Sequence, residues 1–146
     1  MALFDNQRGK TNRGAKLRLI TFVAIAGMLA GCQTAAELQA AIDQAKPVPA
    51  SIQSDIANAA RDYLVDPYSV RDAEISYMQL NKHSGLHWLC VKANSKNRMG
   101  GYAGRQAVEI TVRDGKLFNY LVNSPACKNS SLRWRPFPKL EALRNI

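Results

Sequence analysis

The spacing of apolar and polar residues predicts two helices in the first half of the chain. Residues 34–45 and 52–64 place apolar side chains three and four positions apart, which indicates helices with one apolar face each. Ser51 is a favourable capping residue for the second helix, and Pro67 disfavours helical geometry at the residue before it. The predicted apolar face of the second helix comprises Ile52, Ile56, Ala59, Ala60 and Tyr63.

From Val70 onward the apolar positions alternate with a period of two, which predicts strands. We predict four of them, over residues 70–81, 86–94, 106–113 and 117–122. Asp114-Gly115, between the last two, is typical of a tight hairpin turn. The order of these elements predicts an α+β fold, in which an N-terminal helix or helices pack on a small, mostly antiparallel four-stranded sheet.

A third pattern precedes the helices. Five bases and one acid in the first 18 residues are followed by an apolar run of 12 residues, 19–30. The run is shorter than the roughly 20 residues that a membrane-spanning helix needs. A basic start, a short apolar run and small residues at its end are typical of a secretory signal that is removed. We therefore predict that residues 1–31 are a cleaved signal peptide.

The end of this run, Leu29-Ala30-Gly31-Cys32, resembles the lipobox of bacterial lipoproteins. The resemblance implies a diacylglycerol thioether on Cys32, cleavage before it, and an acyl chain such as palmitate on its new amino group. These covalent lipids take the place of a cofactor, and no other cofactor is predicted. The residue after Cys32 is Gln33 and not the Asp that commonly retains such lipoproteins in the inner membrane. This favours a lipid anchor in the outer membrane, facing the periplasm or the surface. The alternative is an ordinary signal peptide with an incidental cysteine.

Cleavage at this position changes the size and the charge of the working protein. It removes 31 of 146 residues and leaves 115, enough for one small domain. It also removes five of the 20 bases and one of the 11 acids, which leaves 15 against 10, or +5. That charge favours acidic partners such as anionic lipid headgroups or envelope glycans, whereas export excludes nucleic acid. We predict a lipidated tether over residues 32–50 and a single α+β domain over 51–146.

Two further cysteines, Cys90 and Cys127, remain when Cys32 carries lipid. An even pair in an oxidising compartment favours a disulfide, and two buried free thiols are the alternative.

His83 and His87 are separated by Ser84-Gly85, which would break a helix, and no acidic residue lies close to them in sequence. We therefore predict no metal site, which needs three or four ligands. Since no Ser/His/Asp grouping stands out either, we predict that the protein is not an enzyme.

The segment from Asn94 to Gly104 is the most distinctive stretch of the predicted domain. Its glycines permit unusual backbone geometry, and its asparagines favour turns. One interpretation is a structural loop between strands, and the other is a partner-binding loop. The candidate residues are Asn94, Lys96, Asn97, Arg98, Gly100, Gly101, Tyr102 and Gly104.

Three stretches together resemble a group of short exported proteins of proteobacteria: Asp66-Pro-Tyr-Ser-Val70, Cys90-Val-Lys-Ala-Asn94, and Lys96-Asn97 leading to Gly100-Gly-Tyr-Ala-Gly104. The resemblance covers about residues 60–113. Many members carry Gly after the cysteine, where this chain has Val91. The resemblance implies an exported domain and indicates no particular chemistry.

The tail interleaves bases with aromatic residues: Arg133, Trp134, Arg135, Phe137 and Lys139. These side chains suit an anionic membrane surface, and a strap that packs its aromatics over the sheet is the alternative.

The anchor and the lack of a catalytic grouping favour a non-enzymatic interaction or structural module that docks or adheres at the envelope. Two alternatives remain, an accessory subunit of an envelope secretion or assembly complex, and a cell-wall glycan binder or enzyme.

Overall fold

Two helices precede the sheet, as the apolar spacing predicts. In the computed structural model, which describes residues 35–145, α1 is Ala35–Asp43 and α2 is Ala50–Tyr63. The predicted cap at Ser51 is wrong, because α2 begins at Ala50, two residues before the predicted start, and Pro49 takes the capping position without a side-chain hydrogen bond. Pro49 has a non-helical ψ of 149°, and its carbonyl accepts a hydrogen bond from the N–H of Gln53 at the start of the helix.

The strands form one antiparallel sheet, which confirms the α+β class. Within the described residues the strands are β1 (Asp66–Ser76), β2 (Gln79–Leu80), β3 (His87–Lys96), β4 (Gln106–Arg113), β5 (Lys116–Val122) and β6 (Trp134–Pro136). Their order is β5-β4-β3-β1-β6, and β2 lies beside the start of β3. The predicted number of four strands is too low. The predicted strand 70–81 divides into β1 and β2, and β6 is too short for its alternation to be visible in the sequence.

A serine hydroxyl causes the division of residues 70–81. The N–H of Cys90 donates to Oγ of Ser76 at 2.8 Å and not to a backbone carbonyl of the neighbouring strand. The next residue, Tyr77, donates its N–H to the carbonyl of Arg133, which continues the pairing of β1 with β6 on its other side. The ladder is therefore interrupted between β1 and β2 although the chain continues in the same direction.

The main core lies on the face of the sheet that carries α2, α3 (Pro138–Glu141) and a final 3₁₀ helix (Ala142–Asn145). As its alternation predicts, β4 turns Ile110, Val112 and the partly buried Val108 toward this core. Burial of such side chains is the main favourable contribution to folding. The core residues with the least exposure are Ile52, Val70, Ile75, Leu89 and Phe137.

A second apolar cluster lies on the other face of the sheet and contains the disulfide. It comprises Ile42, Trp88, Cys90, Cys127 and Leu132. Cys127 belongs to a 3₁₀ helix, Pro125–Lys128, and its sulfur is bonded to that of Cys90 at 2.04 Å. The predicted disulfide is therefore present, and the alternative of two free thiols is wrong.

The packed domain begins earlier than the predicted boundary at Ser51. Ile42 and Val48 are only 2% and 3% exposed, and Lys46 exchanges backbone hydrogen bonds with Met78. Val48, which lies between two prolines, inserts into the main core, so the packed residues include part of the predicted tether. Cys32 and the predicted signal peptide lie outside the described residues.

The predicted tight hairpin joins β4 to β5. Asp114 and Gly115 have φ values of 50° and 72°. Positive φ at both central residues is the geometry that matches the twist of the flanking strands. The turn therefore sets the antiparallel pairing of β5 with β4, which forms one wall of the site described next.

Candidate functional site

An apolar cleft of about 470 Å³ lies between α2 and the strands β3, β4 and β5. No charged side chain is among its lining residues, and the polar ones are Ser95, Gln106 and Asn119. The volume falls within the range of roughly 300–1,000 Å³ that is typical of ligand pockets. The apolar walls come mainly from Ile56, Ala59, Ala60 and Tyr63 of α2, Val108 and Ile110 of β4, and Leu117, Phe118, Tyr120 and Val122 of β5.

The cleft exists because only half of the apolar face of α2 is covered. Ile52 and Ile56, at the start of that face, are buried in the main core. Further along the same face, Ala59 is exposed and Tyr63 is 52% exposed, although both were predicted to be buried with the rest. Since alanine is too short to bridge the gap to β5, the second half of the helix faces an open space.

The opposite wall of the cleft belongs to β5, the edge strand of the sheet. In the described part of the chain β5 pairs with β4 on one side, and no strand lies on its other side. Besides Lys116 and Asn119, its exposed side chains are nevertheless large and apolar: Phe118, Tyr120, Leu121 and Val122. Edge strands usually carry features that discourage association, so this surface is unusual for a protein without a partner.

Two tyrosines connect the helix to the edge strand. The rings of Tyr63 at the end of α2 and Tyr120 on β5 meet edge to face, with centroids 5.2 Å apart. Both rings line the cleft, and about half of each side chain is exposed. Tyrosine combines an apolar ring with a polar hydroxyl, which suits a position between an apolar interior and water.

Positive charge lies beside the lining residue Phe118 at the β4–β5 hairpin, although the charged residues there do not themselves line the cleft. The guanidinium of Arg113 is 3.6 Å from the centroid of the Phe118 ring, which forms part of the wall. Lys116 pairs directly with Arg113 across the hairpin, and Asp114 stands between them in the turn. The three residues carry a net charge of +1 beside walls that have none.

The glycine-containing loop is organised by its own asparagine. Oδ1 of Asn97 accepts hydrogen bonds from the N–H groups of Met99 and Gly101, and its carbonyl accepts one from Gly100. Gly100 has a φ of 77°, which favours glycine. These are the contacts of a structural loop, which leave Arg98 and Met99 exposed at its tip. A partner-binding role for the tip stays a prediction.

The remaining loop candidates are fixed to β1 and β3. Tyr102 donates its hydroxyl to the carbonyl of Ser69, and its ring lies 3.7 Å from the guanidinium of Arg71 and 5.8 Å from Nζ of Lys96. Asn94 is buried within β3, and its Oδ1 has no hydrogen-bond partner among the described residues. Gly104 turns the chain toward β4 with a φ of 92°.

The tail packs its aromatic residues on the domain, as in the alternative interpretation of a strap. Phe137, which was expected at the membrane interface, is 1% exposed in the main core. Arg133 and Arg135 donate to the carbonyls of Ala45 and Val48, so that they tie the tail to the segment before α2. Phe137 is thus unavailable to a membrane, and a membrane-facing role for the exposed Arg133 and Lys139 stays a prediction.

The other two tail residues also make contacts within the domain. Trp134 is half-buried, with Nζ of Lys92 4.0 Å from its ring centroid. Lys139 donates to Oγ of Ser54 on α2 at 2.8 Å. β6 and the residues after it therefore hold both the sheet and the helix in place.

A charged cluster on the outer face of the sheet is centred on Glu74. Its carboxylate lies 2.9 Å from Nζ of Lys92 and also pairs with Arg105. The hydrogen bond from Lys92, together with the charges of Lys92 and Arg105, lowers the pKa of Glu74 from its ordinary value of 4.5, and partial burial opposes this shift. The cluster links β1, β3 and the start of β4, and lies away from the cleft lining.

The cleft is the site that sequence reasoning missed. Its two walls were predicted as elements, but their separation depends on how α2 sits on the sheet. The signal in the sequence was the pair of small residues, Ala59 and Ala60, in the middle of an otherwise large apolar face.

Comparison with known proteins adds no relative. The chain matches no family model, and neither the curated proteins nor the solved structures contain a significant match. The resemblance of residues 60–113 to short exported proteins therefore stays a prediction.

Within residues 35–145, no set of three or more His, Cys, Asp or Glu side chains is placed to hold a metal ion. None of the helices in that range has both the length and the apolar character that crossing a membrane requires.

Proposed function

We propose that the protein is a lipoprotein of the bacterial envelope, anchored through Cys32 in the outer membrane, and that its domain is a non-enzymatic interaction module. The binding surface is the cleft between α2 and β5, and its partner is apolar. The observation that carries this proposal is the cleft itself, with uncharged walls and exposed apolar side chains at its rim. An apolar concavity of this size is the usual form of a binding site for a small apolar group.

The disulfide supports the proposed location. Cys90 and Cys127 are bonded, and such bonds persist in oxidising compartments such as the bacterial periplasm. The lipobox-like Leu29-Ala30-Gly31-Cys32 supports the anchor independently of the fold. Both features support export from the cytoplasm.

The composition of the cleft favours an apolar partner over a cell-wall glycan. Glycan hydrolysis ordinarily uses two carboxylates that flank the scissile bond. The lining residues include neither aspartate nor glutamate, and their polar groups are limited to one hydroxyl of serine, two of tyrosine and two amides. The proposal of a glycan enzyme consequently receives no support from this site.

The anchor is tested by Cys32→Ala in cells grown with an alkyne-labelled fatty acid. Wild type should incorporate the label and sediment with membranes, and the variant should lose the label. Gln33→Ala, next to the same position, is the matched control and should keep both properties. Labelling of Cys32→Ala at the wild-type level would refute the anchor.

The binding surface is tested with a neutral apolar dye, N-phenyl-1-naphthylamine, which fluoresces in apolar surroundings. Wild type should bind it at one saturable site. Ala59→Trp fills the cleft from an exposed position and should abolish that signal. Ala50→Trp makes the same change at an exposed position outside the cleft lining of the same helix and should have no effect. Equal fluorescence from the two variants would rule out the cleft as the binding site.

The free edge of β5 favours a second candidate, an accessory subunit of an envelope complex. A partner strand that pairs with β5 would cover Leu121, which is 54% exposed on the face opposite to the cleft-lining Tyr120 and Val122. A photo-crosslinking residue at Leu121 in intact cells should then give a discrete adduct with another envelope protein, and one at the exposed Lys82 should not. Recovery of monomer alone from both positions would argue against this candidate.

A further inference from the structure

The cleft is elongated, and its dimensions limit what it can hold. Its helical wall extends from Ile56 to Leu64, eight residues apart, or about 12 Å at 1.5 Å per residue. Its strand wall extends from Leu117 to Val122, five residues apart, or about 17 Å at 3.4 Å per residue. Carbon–carbon bonds of about 1.5 Å in a zigzag advance roughly 1.3 Å each, so the cleft accommodates an extended chain of about 9 to 13 carbons.

The walls suit the body of such a chain, and one end of the cleft suits a charged head. The described lining is mainly aliphatic and aromatic, with Ser95, Gln106 and Asn119 as its uncharged polar members. At the hairpin end, Arg113 lies on the Phe118 ring, beside Lys116 and Asp114, with a net charge of +1. An ionised group on the ligand would therefore be placed against a cation, while its chain stays among apolar residues.

We infer that the cleft binds one free fatty acid of medium chain length, with the chain between α2 and β5 and the carboxylate beside Arg113. A carboxylate is a monoanion and matches the net charge of the hairpin end. A phosphate monoester carries about −1.5 to −2 and would be only partly neutralised there. The guanidinium also offers two parallel N–H donors, which fit a carboxylate. This inference rests on the proposed function, since it names the ligand of the same cleft.

The test uses the mature chain, residues 32–146, with Cys32→Ser and an ordinary cleavable leader, so that the protein is exported and oxidised but needs no detergent. Saturated fatty acids of increasing length are titrated against the protein by calorimetry, and displacement of the neutral dye is followed in parallel. Each added methylene should tighten binding about fourfold up to about 12 carbons, after which the gain should stop. A steady increase with no plateau would indicate unspecific partition and would overturn the inference.

Two pairs of variants locate the ligand. Ala59→Trp should weaken dodecanoate binding at least tenfold, and Ala50→Trp should leave it unchanged. Arg113→Gln should weaken dodecanoate severalfold but leave dodecanol, the neutral alcohol of equal length, unaffected, and Arg98→Gln at the loop tip is its control. Urea unfolding of each variant checks the fold, and Ala59→Leu replaces Ala59→Trp if the larger side chain prevents folding.

The possible results separate the inference from the proposed function. Binding of dodecanol as tight as that of dodecanoate, or tighter binding of dodecyl phosphate or a lysophospholipid, would overturn the fatty-acid assignment. If the dye occupies the cleft of wild type but not of Ala59→Trp, and no fatty acid displaces it, the inference fails and the proposed function stands. If the dye does not bind to the cleft either, both fail.

Discussion

Removing the disulfide is expected to destabilise the domain by about 4 kcal/mol. Cys90 and Cys127 are 37 positions apart, and closing a loop of that length lowers the entropy of the unfolded chain by an amount worth about 3.9 kcal/mol at 25 °C. Since domains of this size are stable by only about 5–15 kcal/mol, the bond supplies a large share of the total. The perturbation that tests this is the double variant Cys90→Ala with Cys127→Ala.

Urea unfolding, followed by tryptophan fluorescence and circular dichroism, measures the effect. Trp88 packs in the same cluster as the disulfide and therefore reports on its surroundings. With an m-value of about 1–2 kcal/mol per molar urea, a loss of 4 kcal/mol lowers the midpoint by about 2–4 M. A reducing agent should lower the midpoint of wild type by a similar amount and leave the double variant unchanged.

The refuting result is equally specific. If the double variant loses less than about 1 kcal/mol and the reducing agent does not shift wild type, the loop-closure argument is wrong for this domain. If the free energy of unfolding falls only in the double variant and reduction does not affect wild type, the change is due to lost packing of the buried sulfurs with Ile42 and Leu132.

Three further predictions concern the tail, the charged cluster and the edge strand. Phe137→Ala should lower the free energy of unfolding in urea by about 3–5 kcal/mol, since the ring is fully buried. A loss below about 1 kcal/mol would contradict the packing of the tail in the core. Because the pKa of Glu74 is lowered, its contribution to stability is complete above pH 4.5 and is lost as the pH falls from 4.5 through the folded-state pKa. Below pH 4.5 the urea midpoint of wild type should therefore fall more steeply than that of Glu74→Gln, and identical pH profiles of the two midpoints would contradict the assignment. Leu121→Lys should change stability in urea unfolding by less than about 0.5 kcal/mol, as expected for an exposed position; a loss above about 2 kcal/mol would contradict the exposure of this side chain on β5.

Local patterns in the sequence predicted much of the fold correctly. The alternation in residues 106–113 identified the core-facing side of β4, because successive side chains of any strand point to opposite faces. Asp114-Gly115 identified the hairpin, because few other residue pairs adopt positive φ at both positions without strain. Ile52 and Ile56 were correctly assigned to the buried face of α2.

The errors arose where distant parts of the chain meet. Nothing near Val48 in the sequence indicates that it enters the core, because the residues that enclose it come from the sheet and the tail. The contacts of the tail arginines within the domain were not predicted, because their hydrogen-bond acceptors, the carbonyls of Ala45 and Val48, lie 88 and 87 residues away. The split between β1 and β2 depends on a side chain that replaces a backbone acceptor, which periodicity does not reveal.

The sequence by itself determined the α+β class, the tight hairpin and the presence of one even pair of cysteines in the described domain, because these depend on backbone geometry, on spacing and on counting. The tertiary structure alone decided that Cys90 and Cys127 meet and that the tail closes the core. It also decided that half of the apolar face of α2 stays open as a cleft. Whether an apolar face is covered depends on the distance to the opposing element and on the reach of its side chains, and at Ala59 that reach is too short.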